Sequence, residues 1–186
     1  MKDNTPMKSQ LSIAMLLVLL TSSSGMAASS EEKASLYDLP ISFSTDGGKL
    51  VQLENWKNRP LVVTMTFTSC QFACPRMVES LKKLQKLFDE KKRAADFLII
   101  SLDPEHDTAP TLSKYRRDKK IDFKNWTFLT GSETDTRKIA MVLGIRFNKN
   151  PESGSISHDN KILLINGKGE IDKELVGLNI DPKDAF

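Results

Sequence analysis

The middle of the chain contains two short, unbroken apolar runs, at residues 61–67 and 97–102. Runs of this length, rich in β-branched side chains, are typical of strands that are buried on both faces of a sheet. Between them, apolar side chains recur every three or four positions over residues 76–91, which predicts an amphipathic helix. Together the three segments predict a strand–helix–strand unit.

Two predicted hairpins flank this unit. Residues 41–53 have extended segments on either side of the Gly-rich turn at 45–48, a pattern that favours a hairpin at the edge of a sheet. Near the other end, apolar residues 161–165 lead through a Gly-containing turn to a final strand at 171–175. Because a closing hairpin pairs in the antiparallel direction, the predicted sheet is mixed.

Two more helices complete the pattern. One is predicted over residues 110–118, with Asp107 or Thr108 as its N-cap and a Pro in the first turn. The other is predicted over residues 133–143 and ends at Gly144. The alternation of strands and helices predicts an α/β fold with a central mixed β-sheet flanked by helices on both faces and an N-terminal β-hairpin.

The first part of the chain has the pattern of an export signal. Lysines precede an apolar run at residues 11–20, and small residues follow as far as Ala28. The alternative is a retained membrane anchor, but the run is about half of the ~20 residues needed to cross a bilayer. We therefore predict a cleaved signal peptide over residues 1–27, a flexible linker over 28–35 and one domain over 36–186. The mature protein is expected in the periplasm.

Composition and charge narrow the function further. The 186 residues carry a formal net charge of +3, and basic and acidic side chains are interspersed. A nucleic-acid binder would show a clustered basic surface, so that class is not expected. The length is that of one compact domain, and we expect a monomer.

The two cysteines of the chain, Cys70 and Cys74, follow the first buried strand and open the first predicted helix. Four helical residues place the two Cα atoms about 6 Å apart, a distance that permits either a disulfide or joint binding of one metal ion. Pro75 suits an early helical position. The positive end of the helix dipole is expected to lower the pKa of the thiols.

Two thiolates alone do not complete a metal site. Sulfur ligands select reduced copper, zinc or iron–sulfur clusters, and each of these requires further ligands. The chain has two histidines, His106 and His158. His158 lies in a polar loop just before the strand at 161–165, whereas His106 lies in an acidic loop that turn formation and helix capping also explain. The residues alone leave the third ligand open.

Several motifs resemble one known family. They are the hairpin at residues 43–53 with its Asp46-Gly47 turn, the stretch from Thr68-Ser69-Cys70 to Cys74-Pro75, the Ser101-Leu102-Asp103-Pro104 and Asp107-Thr108 pair, and His158 before a strand that ends in a Gly turn. On these motifs, residues 39–176 resemble the Sco/SenC family of copper chaperones. The resemblance implies a thioredoxin-like fold.

The resemblance also implies a copper site. Cys70, Cys74 and His158 would bind Cu(I) or Cu(II), and the two cysteines would form a redox-active pair. In the family an acidic residue of the Asp-Pro loop lies near the copper, which would place Asp107 beside the ligands. Capping of the following helix explains Asp107 equally well.

The implied function is that of a periplasmic metallochaperone. It would deliver copper to the copper site of a cytochrome c oxidase or a related copper enzyme, or reduce the thiols of that site. Its partners would be the apo form of that enzyme, in the first place a cytochrome oxidase subunit, and a thioredoxin-like reductant.

Other functions compete with this one. The main alternative is a thiol-disulfide oxidoreductase that acts through Cys70 and Cys74 without copper, which would leave His158 without a role. A peroxidase is disfavoured, because Phe67 stands where such sites place Thr. Structural zinc would need a fourth ligand, and an inert disulfide between the cysteines is the simplest alternative.

Overall fold

The computed structural model describes residues 1–2, 35–70 and 73–186. The predicted signal peptide, apart from residues 1–2, and the predicted linker, apart from Ser35, lie outside the described residues. Lys33–Phe186 forms one compact unit. Within the described part of the chain, no helix combines the length and the apolar character needed to cross a membrane.

Strands and helices alternate along this unit. The described helices are α1 (Ala73–Glu90), α2 (Ala109–Asp118) and α3 (Glu133–Val142). The described strands are β1 (Ser42–Thr45), β2 (Leu50–Gln52), β3 (Leu61–Thr66), β4 (Asp96–Ser101), β5 (Trp126–Thr130), β6 (Phe147–Lys149), β7 (Ile156–His158), β8 (Lys161–Ile165) and β9 (Ile171–Val176).

Seven of these strands form one mixed sheet in the order β2-β1-β5-β4-β3-β8-β9. The β3, β4 and β5 strands run parallel, joined by crossovers through α1 and α2, whereas the pairings of β1 and β8 with their neighbours are antiparallel. The N-terminal hairpin lies at one edge and β9 at the other. The predicted mixed sheet with an N-terminal hairpin is therefore confirmed.

The sheet is covered on both faces. Val62 and Ile99 belong to the apolar cluster that contains buried residues of α1 and α2. Their neighbours Val63, Leu98 and Ile100 belong to a second cluster, which contains buried residues of α3. Because side chains alternate between the two faces of a strand, continuous apolar runs are needed to fill both clusters.

Three strands were missed by the sequence pattern. β5 contains two Thr in five residues and was not predicted, yet it pairs with β4 through four residues of register. Its Trp126 is 1% exposed and stacks on Phe97 with ring centroids 5.2 Å apart. β6 and β7 form a separate two-stranded sheet, so His158 ends a strand instead of lying in the predicted loop.

The end of α3 agrees with its prediction. Gly144 follows the helix with a φ of +61°, in the left-handed region that glycine adopts without strain. The next N–H, that of Ile145, donates to the carbonyl of Ala140 over 2.9 Å. This closes the helix end and directs the chain into β6.

Truncation of one central side chain tests this core. Leu98 is 0% exposed in β4, so Leu98→Ala is expected to lower the free energy of unfolding by about 2–5 kcal/mol through lost burial and a cavity. Leu50→Ala, at a position that is 70% exposed in β2, is the control and should change it by less than about 0.5 kcal/mol. Urea unfolding measures both, and similar losses would contradict the core described.

Candidate metal centre

Cys70 lies in the turn that follows β3, and Cys74 lies at the start of α1. Residues 67–70 are called the cysteine turn. Cys70 is half-buried, and Cys74, in the first turn of the helix, is 1% exposed. The backbone N–H of Cys74 donates a hydrogen bond to the Sγ of Cys70 over 3.3 Å. An N–H at a helix start has no partner within the helix, and it stabilises negative charge on the sulfur that accepts it. The structure holds both residues as adjacent thiols.

The two sulfurs have different surroundings. The pKa of Cys74 is raised to about 12, first by burial and then by its hydrogen bond with Cys70, against the lowering effects of the Phe67 backbone and the Thr66 hydroxyl. The prediction that the helix start lowers the thiol pKa is wrong for Cys74, because desolvation outweighs the helix dipole. Cys74 is a neutral thiol at neutral pH and must release its proton to bind a metal.

His158 ends β7 and stands opposite Phe147 across the hairpin formed by β6 and β7. Its Nδ1 lies 2.8 Å from the backbone oxygen of Asp159. Because a carbonyl oxygen only accepts, Nδ1 carries the proton, and Nε2 of the neutral ring carries the lone pair. Within the described residues, this Nε2 is buried and has no hydrogen-bond partner. A buried imidazole lone pair without a partner fits the requirement for a metal ligand.

The imidazole of His158 packs beside the cysteine turn. Its ring meets the ring of Phe67 edge-on, with centroids 5.9 Å apart and planes at 75°. The carbonyl of Phe67 in turn accepts the N–H of Cys70 over 3.4 Å. Phe147, opposite His158, packs against the apolar cluster that contains Cys74. His158, on a separate hairpin, thus contacts the residue three positions before Cys70.

The donor atoms of Cys70, Cys74 and His158 do not all lie within 4.8 Å of one another. Among the described residues, the donors that meet this distance belong to Asp103, Glu105 and His106. The structure therefore places the three predicted ligands in the same region but leaves the centre open.

The group formed by Asp103, Glu105 and His106 already has a cation. The Nζ of Lys149 lies 2.9 Å from the carboxylate of Asp103 and 2.8 Å from that of Glu105. Burial opposes ionisation of Asp103, but hydrogen bonds from Lys149 and His106 prevail and lower its pKa. His106 is 65% exposed and contacts Asp103. Among the described residues, its ring pairs with Asp103 of the same loop.

The side chain of Asp107 binds the cysteine turn through Thr68. It is 1% exposed, and its carboxylate accepts the backbone N–H of Thr68 over 3.1 Å, the Thr68 hydroxyl, and the Ser101 hydroxyl over 2.7 Å. Thr68 lies two residues before Cys70. The N-cap of α2 is Thr108, so the capping role considered for Asp107 is wrong. The sequence did not reveal the part of Thr68, although it lies in the motif around the first cysteine.

Comparisons with known proteins show which family the chain matches. The family model described as SCO1/SenC matches residues 29–185. The SCO1 protein homolog of Bacillus subtilis (strain 168) is 29% identical over 147 residues, which are 78% of this chain and 76% of that relative.

Solved structures share the fold. The SCO1/SenC family lipoprotein from Bacillus anthracis str. Ames is similar with a TM-score of 0.73 and 30% identity, over 81% of this chain and 91% of that chain. BsSco, a member of the Sco family of cytochrome c oxidase assembly proteins with a disulfide switch, gives 0.71 and 27%, over 83% and 91%. Arabidopsis thaliana ScoI, solved with copper bound, gives 0.69 and 23%, over 78% and 90%. The thioredoxin-like fold is confirmed.

The pH dependence of alkylation tests the state of Cys74. In a Cys70→Ser variant, burial still raises the pKa of Cys74, so its reaction rate with iodoacetamide should rise about tenfold per pH unit up to pH ~10.5. In guanidinium the same thiol is unfolded and its rate should level off above about pH 8.5. If the alkylation rate of the folded protein levelled off at that same pH, Cys74 would not be desolvated.

Proposed function

The chain belongs to the SCO1/SenC family, and from that premise we propose that it binds one copper ion through Cys70, Cys74 and His158 and passes it to a copper enzyme. Copper is the cargo of this reaction. The proposal gives a role to two neighbouring thiols and to an imidazole that contacts Phe67, just before them, from an element distant in sequence.

One observation carries the ligand assignment: the Nε2 of His158 is buried without a partner among the described residues. A buried polar atom of this kind costs free energy unless a ligand satisfies it. The ring also packs on Phe67, at the base of the cysteine turn. Binding copper through all three residues requires Nε2 and the two sulfurs to come closer together than they lie in this structure. The need for that movement suits a site that must both accept and release its ion.

The donor chemistry favours copper in its reduced state. Thiolate sulfur is a soft ligand and selects Cu(I). This ion accepts a low coordination number, so two sulfurs and one nitrogen complete its ligand set. Binding would displace the proton of Cys74, whose pKa is raised by burial, so copper affinity should increase with pH. The apolar surroundings of Cys74 exclude water and disfavour the more strongly hydrated Cu(II).

The proposed recipient is the apo form of a cytochrome c oxidase subunit or of a related copper enzyme. Support comes from the similarity to BsSco, which belongs to a family of cytochrome c oxidase assembly proteins. We place the exchange in the periplasm on the export pattern of residues 1–27. The half-buried position of Cys70 gives a partner's ligand access to the ion.

The asymmetry of the sulfurs favours a second candidate, thiol-disulfide exchange. In this reaction the thiolate of the more accessible Cys70 attacks a partner disulfide and forms a mixed disulfide, and one partner sulfur leaves as a thiolate. Cys74, on losing its proton, then attacks the Cys70 sulfur and releases the second partner thiol. At the end of the reaction the protein contains a Cys70–Cys74 disulfide, and a thioredoxin-like reductant must return the two electrons.

Copper stoichiometry tests the first function. The reduced mature protein should bind one Cu(I) per chain, and His158→Ala should weaken binding by at least about tenfold, because one of three ligands is lost. His106→Ala is the matched control, since it removes the other histidine, which is 65% exposed, and should leave affinity unchanged. Competition with a Cu(I) chelator measures both. Native affinity in His158→Ala would refute the ligand set.

Exchange kinetics test the second function. If disulfide reduction requires only the cysteines, His158→Ala should reduce a model disulfide at the rate of the parent protein, whereas Cys70→Ser should abolish the reaction. In Cys74→Ser the mixed disulfide on Cys70 is not resolved. Acid quenching followed by mass spectrometry would therefore measure the first step. Failure of the Cys74→Ser variant to form a mixed disulfide through Cys70 would exclude this mechanism.

A further inference from the structure

The proposed copper ligands lie on two parts of the protein whose described strands do not pair with each other. Cys70 and Cys74 follow β3, an interior strand of the seven-stranded sheet. His158 ends a hairpin whose two strands pair with each other in a separate sheet. The distance between imidazole and sulfurs is therefore set by whatever fixes this hairpin against the main sheet.

Lys149, at the end of β6, links this hairpin to the loop at residues 101–107 by ion pairs, and this link is called the tie. Its Nζ contacts the carboxylates of Asp103 and Glu105 at 2.9 and 2.8 Å. Among the described residues, the ion pairs that join residues 147–158 to the rest of the protein all come from this lysine. Asp103 has a side chain that is only 5% exposed, so removing Lys149 would take the cation from a buried carboxylate and leave it with the exposed ring of His106.

The loop that receives Lys149 is the same loop that holds the cysteine turn. The hydroxyl of Ser101 accepts the N–H of Asp103 over 2.9 Å and donates to the carboxylate of Asp107 over 2.7 Å. The N–H of Asp107 also donates to the carbonyl of Asp103 over 2.8 Å. Asp107 in turn binds Thr68, two residues before Cys70. The cysteine turn and the hairpin that carries His158 are thus both bonded to residues 101–107.

From these contacts we propose that Lys149 is a positioning residue, which fixes the His158 hairpin to residues 101–107 and so sets where the imidazole lies relative to the two sulfurs. Its consequence for copper rests on the proposed function, whereas the mechanical tie does not. A neutral side chain of equal length cannot replace it, because the tie is made by an ammonium between two carboxylates.

Hydrogen exchange of the copper-free, reduced protein tests the tie. Lys149→Met should accelerate amide exchange in peptides covering residues 147–158 by about tenfold, and peptides from β3 and β4 should be unchanged. Lys149→Arg should restore protection. Lys114→Met, which breaks the exposed pair with Asp118, is the control and should have no effect on the hairpin. Parent-like exchange of the hairpin in Lys149→Met would overturn the proposal.

A double-mutant cycle tests the consequence for the ligand. Lys149→Met should weaken Cu(I) binding by about tenfold in the parent protein and by nothing further in a His158→Ala background, because it acts through His158. Equal losses in both backgrounds would overturn the positioning role. If His158→Ala alone retains native affinity, the ligand set fails instead, and the hydrogen-exchange result still decides the tie.

A further variant separates the tie from general instability. Lys149→Met leaves Asp103 as a buried carboxylate, which can destabilise the whole domain. The double variant Asp103→Asn/Lys149→Met removes both charges and should regain the stability of the parent while its hairpin still exchanges rapidly. A double variant with parent-like stability and parent-like hairpin protection would overturn the proposal.

Discussion

The candidate centre depends on the hydrogen bonds that the buried carboxylate of Asp107 accepts. Two of them come from Thr68, at the point where the chain leaves β3, and another comes from Ser101 at the end of β4. Hydrogen bonds to an ionised group are roughly twice as strong as neutral ones, and burial strengthens them further. They fix the turn that carries Cys70 to the neighbouring strand.

The second constraint is the difference in solvation between the sulfurs. Cys74 is buried and protonated at neutral pH, whereas Cys70 is partly exposed and accepts an N–H from the start of α1. One sulfur can therefore meet a partner while the other stays shielded. Together with an imidazole whose Nε2 is buried and lacks a partner within the described residues, this gives a site that is organised but open. An open site of this kind fits the proposed transfer of copper to a partner.

The sequence predicted the elements that are buried on both faces, because β3 and β4 have unmistakable apolar runs. It missed β5, whose threonines break the run, and the hairpin of β6 and β7, whose short polar strands are stabilised by tertiary contacts such as that of Phe147. The pKa of Cys74 was misjudged because burial is a property of the packed structure. Lys149 could not be found, since 46 residues separate it from Asp103. The assignment of Cys70, Cys74 and His158 as ligands comes from their motifs and stays a prediction.

X-ray absorption spectroscopy of the Cu(I)-loaded, reduced protein tests the central claim most directly. The account predicts two sulfur ligands and one imidazole nitrogen at the copper, with the nitrogen lost in His158→Ala and retained in His106→Ala. Copper bound by sulfur alone in the parent protein, or an imidazole signal that persists after replacement of His158, would contradict the account.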